Sequence, residues 1–182
     1  MNRHYFIAIP IPQEIKEQIN ECRLTNAEHL FFKKWVHFED YHITLVFLGH
    51  ANEFQLKKIN EEMAGVHKQF SPFHLTISHF GTFGNEQKPR VFWAGINESK
   101  LLMELQKSIY DRCTNVGFSL ETRPYSPHLT LARKWNGIDE YNQSNFQLKE
   151  EVTFEVNSFS LFETHMERSP KYKTLYNWTF NL

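Results

Sequence analysis

Two stretches of this chain repeat one message: His42-Ile43-Thr44-Leu45 and His128-Leu129-Thr130-Leu131. The first runs on through Val46-Phe47-Leu48 to Gly49, and the second follows Pro127 and continues into Ala132-Arg133. Short runs of β-branched and large apolar residues bounded by turn formers read as buried strands. Side chains alternate faces along a strand, so His42 and Thr44 point one way while Ile43 and Leu45 point the other. His128 and Thr130 are separated from Leu129 and Leu131 in the same manner. A fold for this chain must therefore bury one row of each strand and leave an imidazole beside a hydroxyl on the other. Brought together, the two strands offer two titratable groups and two hydroxyl donors around one small space. That combination suits acid–base chemistry on a phosphate.

The remaining elements follow from periodicity. Residues 3–9 read as a strand ended by Pro10-Ile11-Pro12, and Pro12 fits the first turn of a helix carrying Ile15, Ile19 and Cys22. A polar loop leads through Lys33-Lys34-Trp35-Val36 to the first His/Thr strand. Helices are predicted over 53–67 and 99–115, with Gly117 suited to the end of the latter. Residues 73–80 read as a strand closed by the turn Gly81-Thr82-Phe83-Gly84, and 90–96 as another. Late strands over 152–162 and 175–180 are joined at Arg168-Ser169-Pro170-Lys171 as a C-terminal hairpin, 152–181. Arg3 opens a strand–helix–strand unit ending near His42, and Arg90 opens one of nearly equal length ending near His128. The repeats, 3–67 and 90–133, predict two halves related by a pseudo-twofold axis within one domain, 1–182. Helices mixed with hairpins favour an α+β architecture over a doubly wound parallel sheet.

Composition narrows the function. A formal charge of −1 over 182 residues argues against a large phosphate-tracking surface, while leaving a short RNA end or a small ligand open. An aromatic content of 15% supplies a sizeable core. Cys22 and Cys113 fall at apolar-periodic helix positions and read as core thiols of a reducing compartment. The apolar run 5–9 stops at Pro10, unlike a secretory signal, and no stretch reaches the ~20 apolar residues of a membrane span. The expectation is a soluble cytoplasmic monomer.

Ten histidines make any single one uninformative. His74-Leu75-Thr76-Ile77 satisfies the same pattern as the two leading segments, yet it follows the second helix and has no counterpart in the other half. It is assigned to the surface or the core edge. His4, His29, His37, His50, His67, His79 and His165 lack a supporting pattern and are read as surface or half-buried. A metal centre built from His37, Asp40 and His42 is the competing reading, but its mixed spacing is a weak signal. No metal or cofactor is expected.

With those flanks, the chain resembles the two-histidine (2H) phosphoesterases. His42-Ile43-Thr44-Leu45 before Phe47-Leu48-Gly49, and Arg123-Pro124-Tyr125-x-Pro127-His128-Leu129-Thr130-Leu131-Ala132-Arg133, look like the two signature motifs. The opening Arg3-x-x-Phe6-x-Ala8-Ile9-x-x-Pro12, the middle Arg90-Val91-x-Trp93-Ala94-Gly95, and Ser160-Leu161-Phe162-Glu163 before Tyr172 extend the likeness over nearly the whole chain. Within the superfamily the LigT-like branch, RNA 2′,3′-cyclic phosphodiesterases once called 2′-5′ RNA ligases, matches best.

The resemblance implies a bilobal α+β fold, two antiparallel sheets around a central cleft with helices outside. It implies that His42 donates a proton to the leaving 3′ oxygen and that His128 accepts one from water, leaving a 2′-phosphate on an RNA end or short oligonucleotide. Thr44 and Thr130 would bind the non-bridging oxygens. Arg133 would help hold the phosphate, although strict alternation turns it away from His128 unless the strand bulges or ends near Ala132. Tyr125 is a candidate for base stacking, with a core role as the alternative. Small cyclic nucleotides, 2′-5′-linked oligonucleotides (including reversible ligation) and RNA binding without turnover are the other readings.

Overall fold

The computed structural model describes residues 3–145 and 147–181. Nine strands and three helices follow the order β1 (Tyr5–Pro10), α1 (Gln13–Thr25), β2 (Phe32–Trp35), β3 (His42–Gly49), α2 (Glu53–Val66), β4 (Phe73–Gly84), β5 (Pro89–Ile96), α3 (Lys100–Asn115), β6 (His128–Trp135), β7 (Val152–Val156), β8 (Ser158–Thr164) and β9 (Tyr172–Thr179). Local chemistry sets the helix ends. Asn52 and Gln55 form a reciprocal capping box at α2, and the Ser99 hydroxyl accepts from the Leu102 amide at α3. Pro12 stands at the start of α1 as expected. Gly117, at φ +100°, allows its own amide to reach Thr114 and that of Phe118 to reach Cys113.

All pairings are antiparallel, in the order β7-β4-β5-β6-β3-β1-β8-β9, with β2 also on β6. The two expected sheets thus meet edge to edge, and the seam is one backbone pair, Ile43 with Leu129, between the two His/Thr strands. Outward from the seam, β3 is followed by β1, β8 and β9 on one side, and β6 by β5, β4 and β7 on the other.

One core lies on the face opposite the histidines. Ile43, Leu45, Val46, Leu129, Leu131 and Ala132 are buried in a cluster with Ile15 and Ile19 of α1, Ile59 and Met63 of α2, and Leu102, Leu105 and Ile109 of α3. Removing a side chain of this size from water is worth roughly 1.5–3 kcal/mol, which holds the helices on that face and leaves the other for the site. Cys113 is buried and Cys22 half-buried, both free thiols.

Three elements differ from the sequence reading. The stretch over 152–162 is two strands: it breaks at Asn157, so β7 pairs with β4 while β8 pairs with β1 at the other end of the order. The hairpin is therefore β8–β9 alone. β4 runs on through Gly81 to Gly84 because β5 continues to pair with it, so the predicted turn is strand. β2 forms within the predicted polar loop, where the exposed edge of β6 supplies its hydrogen-bond partners. No helix among the described residues is long and apolar enough to cross a membrane.

Candidate active site

The seam fixes the geometry. With Ile43 opposite Leu129, antiparallel register sets His42 toward Thr130 and Thr44 toward His128, all on the face away from the core. The imidazoles are held alike. His42 Nδ1 lies 2.7 Å from the Asp40 carbonyl, and His128 Nδ1 lies 2.8 Å from that of Ser126. A carbonyl only accepts, so each Nδ1 carries hydrogen and each neutral ring has its lone pair on Nε2. Nε2 of His42 is 3.0 Å from the Thr44 hydroxyl, which donates to it in that tautomer.

Asp40 fastens this arrangement to the β8–β9 hairpin. Its buried carboxylate accepts the Lys171 amide at 2.8 and 3.0 Å and the Tyr172 amide at 3.1 Å, while its carbonyl takes the His42 hydrogen. Asp40 therefore faces backbone amides, and the trio His37, Asp40 and His42 does not converge on a cation position. No group of three or more potential metal-binding side chains occurs among the described residues.

The rings differ in their surroundings. Phe6, Phe162 and Tyr172 enclose His42 at centroid distances of 4.7, 6.3 and 5.1 Å. Burial pushes His42 down to about 4, opposed by the Asp40 carbonyl and charge and reinforced by His128 and Arg133. His128 is more open. Phe83 meets it edge-on at 4.9 Å and Trp93 lies at 6.2 Å. Burial lowers its pKa as well, with the Ser126 carbonyl opposing and Arg133 adding to the shift.

Arg133 reaches this face through a bulge. Thr130 pairs with Trp93 but Ala132 pairs with Phe92, so β6 carries one extra residue at Leu131. Leu131 and Ala132 are both buried, and Arg133 turns outward to the side of His128 and Thr130, where its charge acts on both histidines and on Tyr172. β3 is built the same way: Thr44 pairs with Ala8, Val46 with Ile7, and the exposed Phe47 takes the place corresponding to Arg133.

Tyr125 is half-buried against the core, and its hydroxyl donates to the Thr44 carbonyl at 3.0 Å. It ties β3 to the loop before His128. His74 is exposed and pairs with Glu155 on β7, away from the seam. His165, read as a surface or half-buried residue, is buried: Nε2 lies 2.8 Å from Glu163 and Nδ1 3.2 Å from Glu167. That polar cluster compensates its burial.

Sequence reasoning missed Asp40 as a support, and with it Phe83, Trp93 and His79 on the face of the second half. His79 pairs with Gly95, which in turn pairs with His128, and the His79 ring lies over Gly95. The alternation of 79, 81 and 83 on an extended β4 was the available signal, hidden because Gly81 and Gly84 read as a turn.

Two His-x-Thr strands abutting across a seam, with an arginine brought round by a bulge, define a two-histidine phosphoesterase architecture. The profile of the 2′-5′ RNA ligase superfamily matches residues 11–168, and the chain belongs to that family. The RNA 2′,3′-cyclic phosphodiesterase of Bacillus subtilis is 39% identical over 175 residues, covering 96% of this chain and 95% of its own length. That of Geobacillus stearothermophilus is 40% identical over 174 residues, and the chain spans only 55% of that relative. A Thermotoga maritima RNA 2′,3′-cyclic phosphodiesterase is 31% identical over 181 residues, covering 96% and 94%. Among solved structures, TT0787 of Thermus thermophilus superposes with a TM-score of 0.84 at 21% identity, covering 97% of both chains. Escherichia coli LigT with 3′-AMP gives 0.79 at 24% identity over the whole of both. These two likenesses establish the fold.

Proposed function

We propose that this protein hydrolyses the 2′,3′-cyclic phosphate at RNA ends to a 2′-phosphomonoester by two-histidine acid–base catalysis. The observation that carries the reading is the pair of imidazoles on one face of the seam, each with Nδ1 committed to a carbonyl, so that proton transfer falls to Nε2, which in His42 meets the Thr44 hydroxyl. In the reaction, His128 Nε2 takes a proton from water as its oxygen bonds to phosphorus. The bond from phosphorus to the 3′ oxygen breaks, and that oxygen takes a proton from His42 Nε2. The more open His128 suits the step that admits water, and the enclosed His42 suits the departing ribose oxygen.

Thr44, Thr130 and Arg133 meet the non-bridging oxygens, where charge develops in the transition state. A substrate phosphate beside His42 offsets the burial that keeps its ring neutral in the free protein, raising its pKa toward the range in which it can act as an acid. Phe83, 37% exposed and in contact with His128, offers a face for the base of the terminal nucleotide. The relatives' names as RNA 2′,3′-cyclic phosphodiesterases support the substrate class.

The test is turnover of a short RNA ending in a 2′,3′-cyclic phosphate, with EDTA present, by the wild type and by His42→Ala and His128→Ala. Each substitution is expected to lower kcat by ~10²–10⁴-fold while the protein stays folded. Wild-type binding without turnover, unaffected by either substitution, would instead make this an RNA-binding module.

A further inference from the structure

A second cleft, of about 380 Å³, lies between the last turns of α1, the segment 36–38 and the hairpin loop before β9. Its volume falls within the range of small-molecule sites, ~300–1,000 Å³. Arg23, Trp35, His37, Ser169 and Lys171 line it. The Arg23 guanidinium lies 4.7 Å above the Trp35 ring, and its buried Nε has no hydrogen-bond partner. Neither Arg23 nor Lys171 forms a side-chain ion pair among the described residues. The two carboxylates of the adjoining turn are committed elsewhere: Glu39 to Lys16 and Gln13, Asp40 to the amides of Lys171 and Tyr172. The His37 Nδ1 accepts the Glu39 amide, so its other nitrogen carries hydrogen in the neutral ring. Tyr41, 2% exposed and within electrostatic reach of Arg23, has a hydroxyl that likewise lacks a partner.

A buried guanidinium N–H with no partner, beside a second cation that forms no ion pair, defines a place for an anion. We propose that this cleft is a second phosphate site, separate from the catalytic one, that takes the phosphate of a nucleotide-sized ligand. Arg23, Lys171, His37 and Ser169 bring to one cleft the guanidinium, ammonium, imidazole and hydroxyl donors that a phosphate takes. The cleft also adjoins the catalytic face: Asp40 holds the Lys171 amide with its carboxylate and His42 with its carbonyl. Two sources present this chemistry, an upstream phosphodiester of the RNA substrate and a free nucleotide.

The experiment has a binding arm and a kinetic arm. Inorganic phosphate and 5′-AMP are titrated calorimetrically into Arg133→Ala, whose catalytic phosphate site is impaired, and into Arg133→Ala carrying Arg23→Gln. Binding retained in the first and lost in the second supports the site whether or not the protein turns over RNA. The kinetic arm rests on the phosphodiesterase reading. It compares 2′,3′-cyclic AMP with a trinucleotide ending in a cyclic phosphate, for wild type, Arg23→Gln and Lys171→Met. An upstream phosphodiester in the cleft predicts that both variants raise KM for the trinucleotide about tenfold, with cyclic AMP unchanged. A free nucleotide predicts binding in the first arm with unchanged KM for both substrates. Thermal melts establish that the variants are folded. Folded variants that match their parents in every titration and both KM values would overturn the proposal and leave the cleft to water.

Discussion

Asp40 holds His42 through its carbonyl and the β8–β9 hairpin through its carboxylate, so the imidazole and the hairpin loop share one anchor. Replacing it with Ala removes the acceptor from two part-buried amides. Hydrogen bonds to a charged group contribute ~1.5–3 kcal/mol each, so Asp40→Ala is expected to cost roughly 3 kcal/mol or more. Chemical denaturation measures this. Because the hairpin also carries Tyr172 against His42, kcat should fall even under conditions where the variant remains fully folded.

Depressed histidine pKa values make both stability and rate depend on pH. His42 titrates near 6.5 in the unfolded chain and about 4 in the folded one, so between those values the unfolded state binds more protons. Its contribution is therefore complete above pH 6.5 and is lost as pH falls toward 4, at most about 3 kcal/mol at 1.36 kcal/mol per unit. Denaturation midpoints of wild type and His42→Ala should converge across that window. An unchanged difference between the two proteins would contradict the burial argument.

In the free enzyme a protonated His42 coexists with a neutral His128 most often at acidic pH, so kcat/KM should peak below pH 6.5 and decline above it. Bound phosphate raises His42, so the alkaline limb of kcat should lie at higher pH than that of kcat/KM. Coincident limbs would show that the substrate does not shift the acid. Steady-state kinetics on a cyclic nucleotide over pH 4–9 reads both profiles.

Arg133 owes its position to the bulge at Leu131, and its planar fork matches two phosphate oxygens as an ammonium cannot. Arg133→Lys is expected to retain the fold and to raise KM severalfold. Arg133→Ala should lose ~10-fold or more in kcat/KM, as for a charged hydrogen bond made to the reacting group. Competition by inorganic phosphate should weaken in parallel.

Gly81 and Gly95 make room for the rings of the second half. A Cβ on Gly81 would sit 2.4 Å from Trp93, and one on Gly95 would sit 2.3 Å from His79. Each ring must then swing away, Trp93 from beside His128 and His79 from over the strand that pairs with it. Gly81→Ala is expected to reduce kcat/KM for a base-bearing cyclic nucleotide more than for a small base-free phosphodiester. Equal losses on both substrates would show that Trp93 and Phe83 act on the phosphate end alone.

How much of this could be read from the chain depends on the reach of each interaction. Alternation alone placed His42 beside Thr44 and His128 beside Thr130, because a strand with one buried row has a single register that satisfies it. The same logic located the helices, whose apolar spacing and caps are local. His74 shows the limit: its local pattern is as good, and its missing counterpart in the other half sets it aside before its place on β4, two strands from the seam, is known. The break at Asn157, the strand β2 and the extension of β4 were hidden because each is decided by a partner distant in sequence.

By itself, then, the sequence determined which side chains must share a face, because pleat and burial act between near neighbours. Only the tertiary structure decided what those faces meet. The Ile43–Leu129 pair sets the two histidines together, the bulge at Leu131 turns Arg133 toward them, and the hairpin amides orient Asp40. Each depends on backbone hydrogen bonds between segments far apart in the chain, whose partners are available only once the strands have packed.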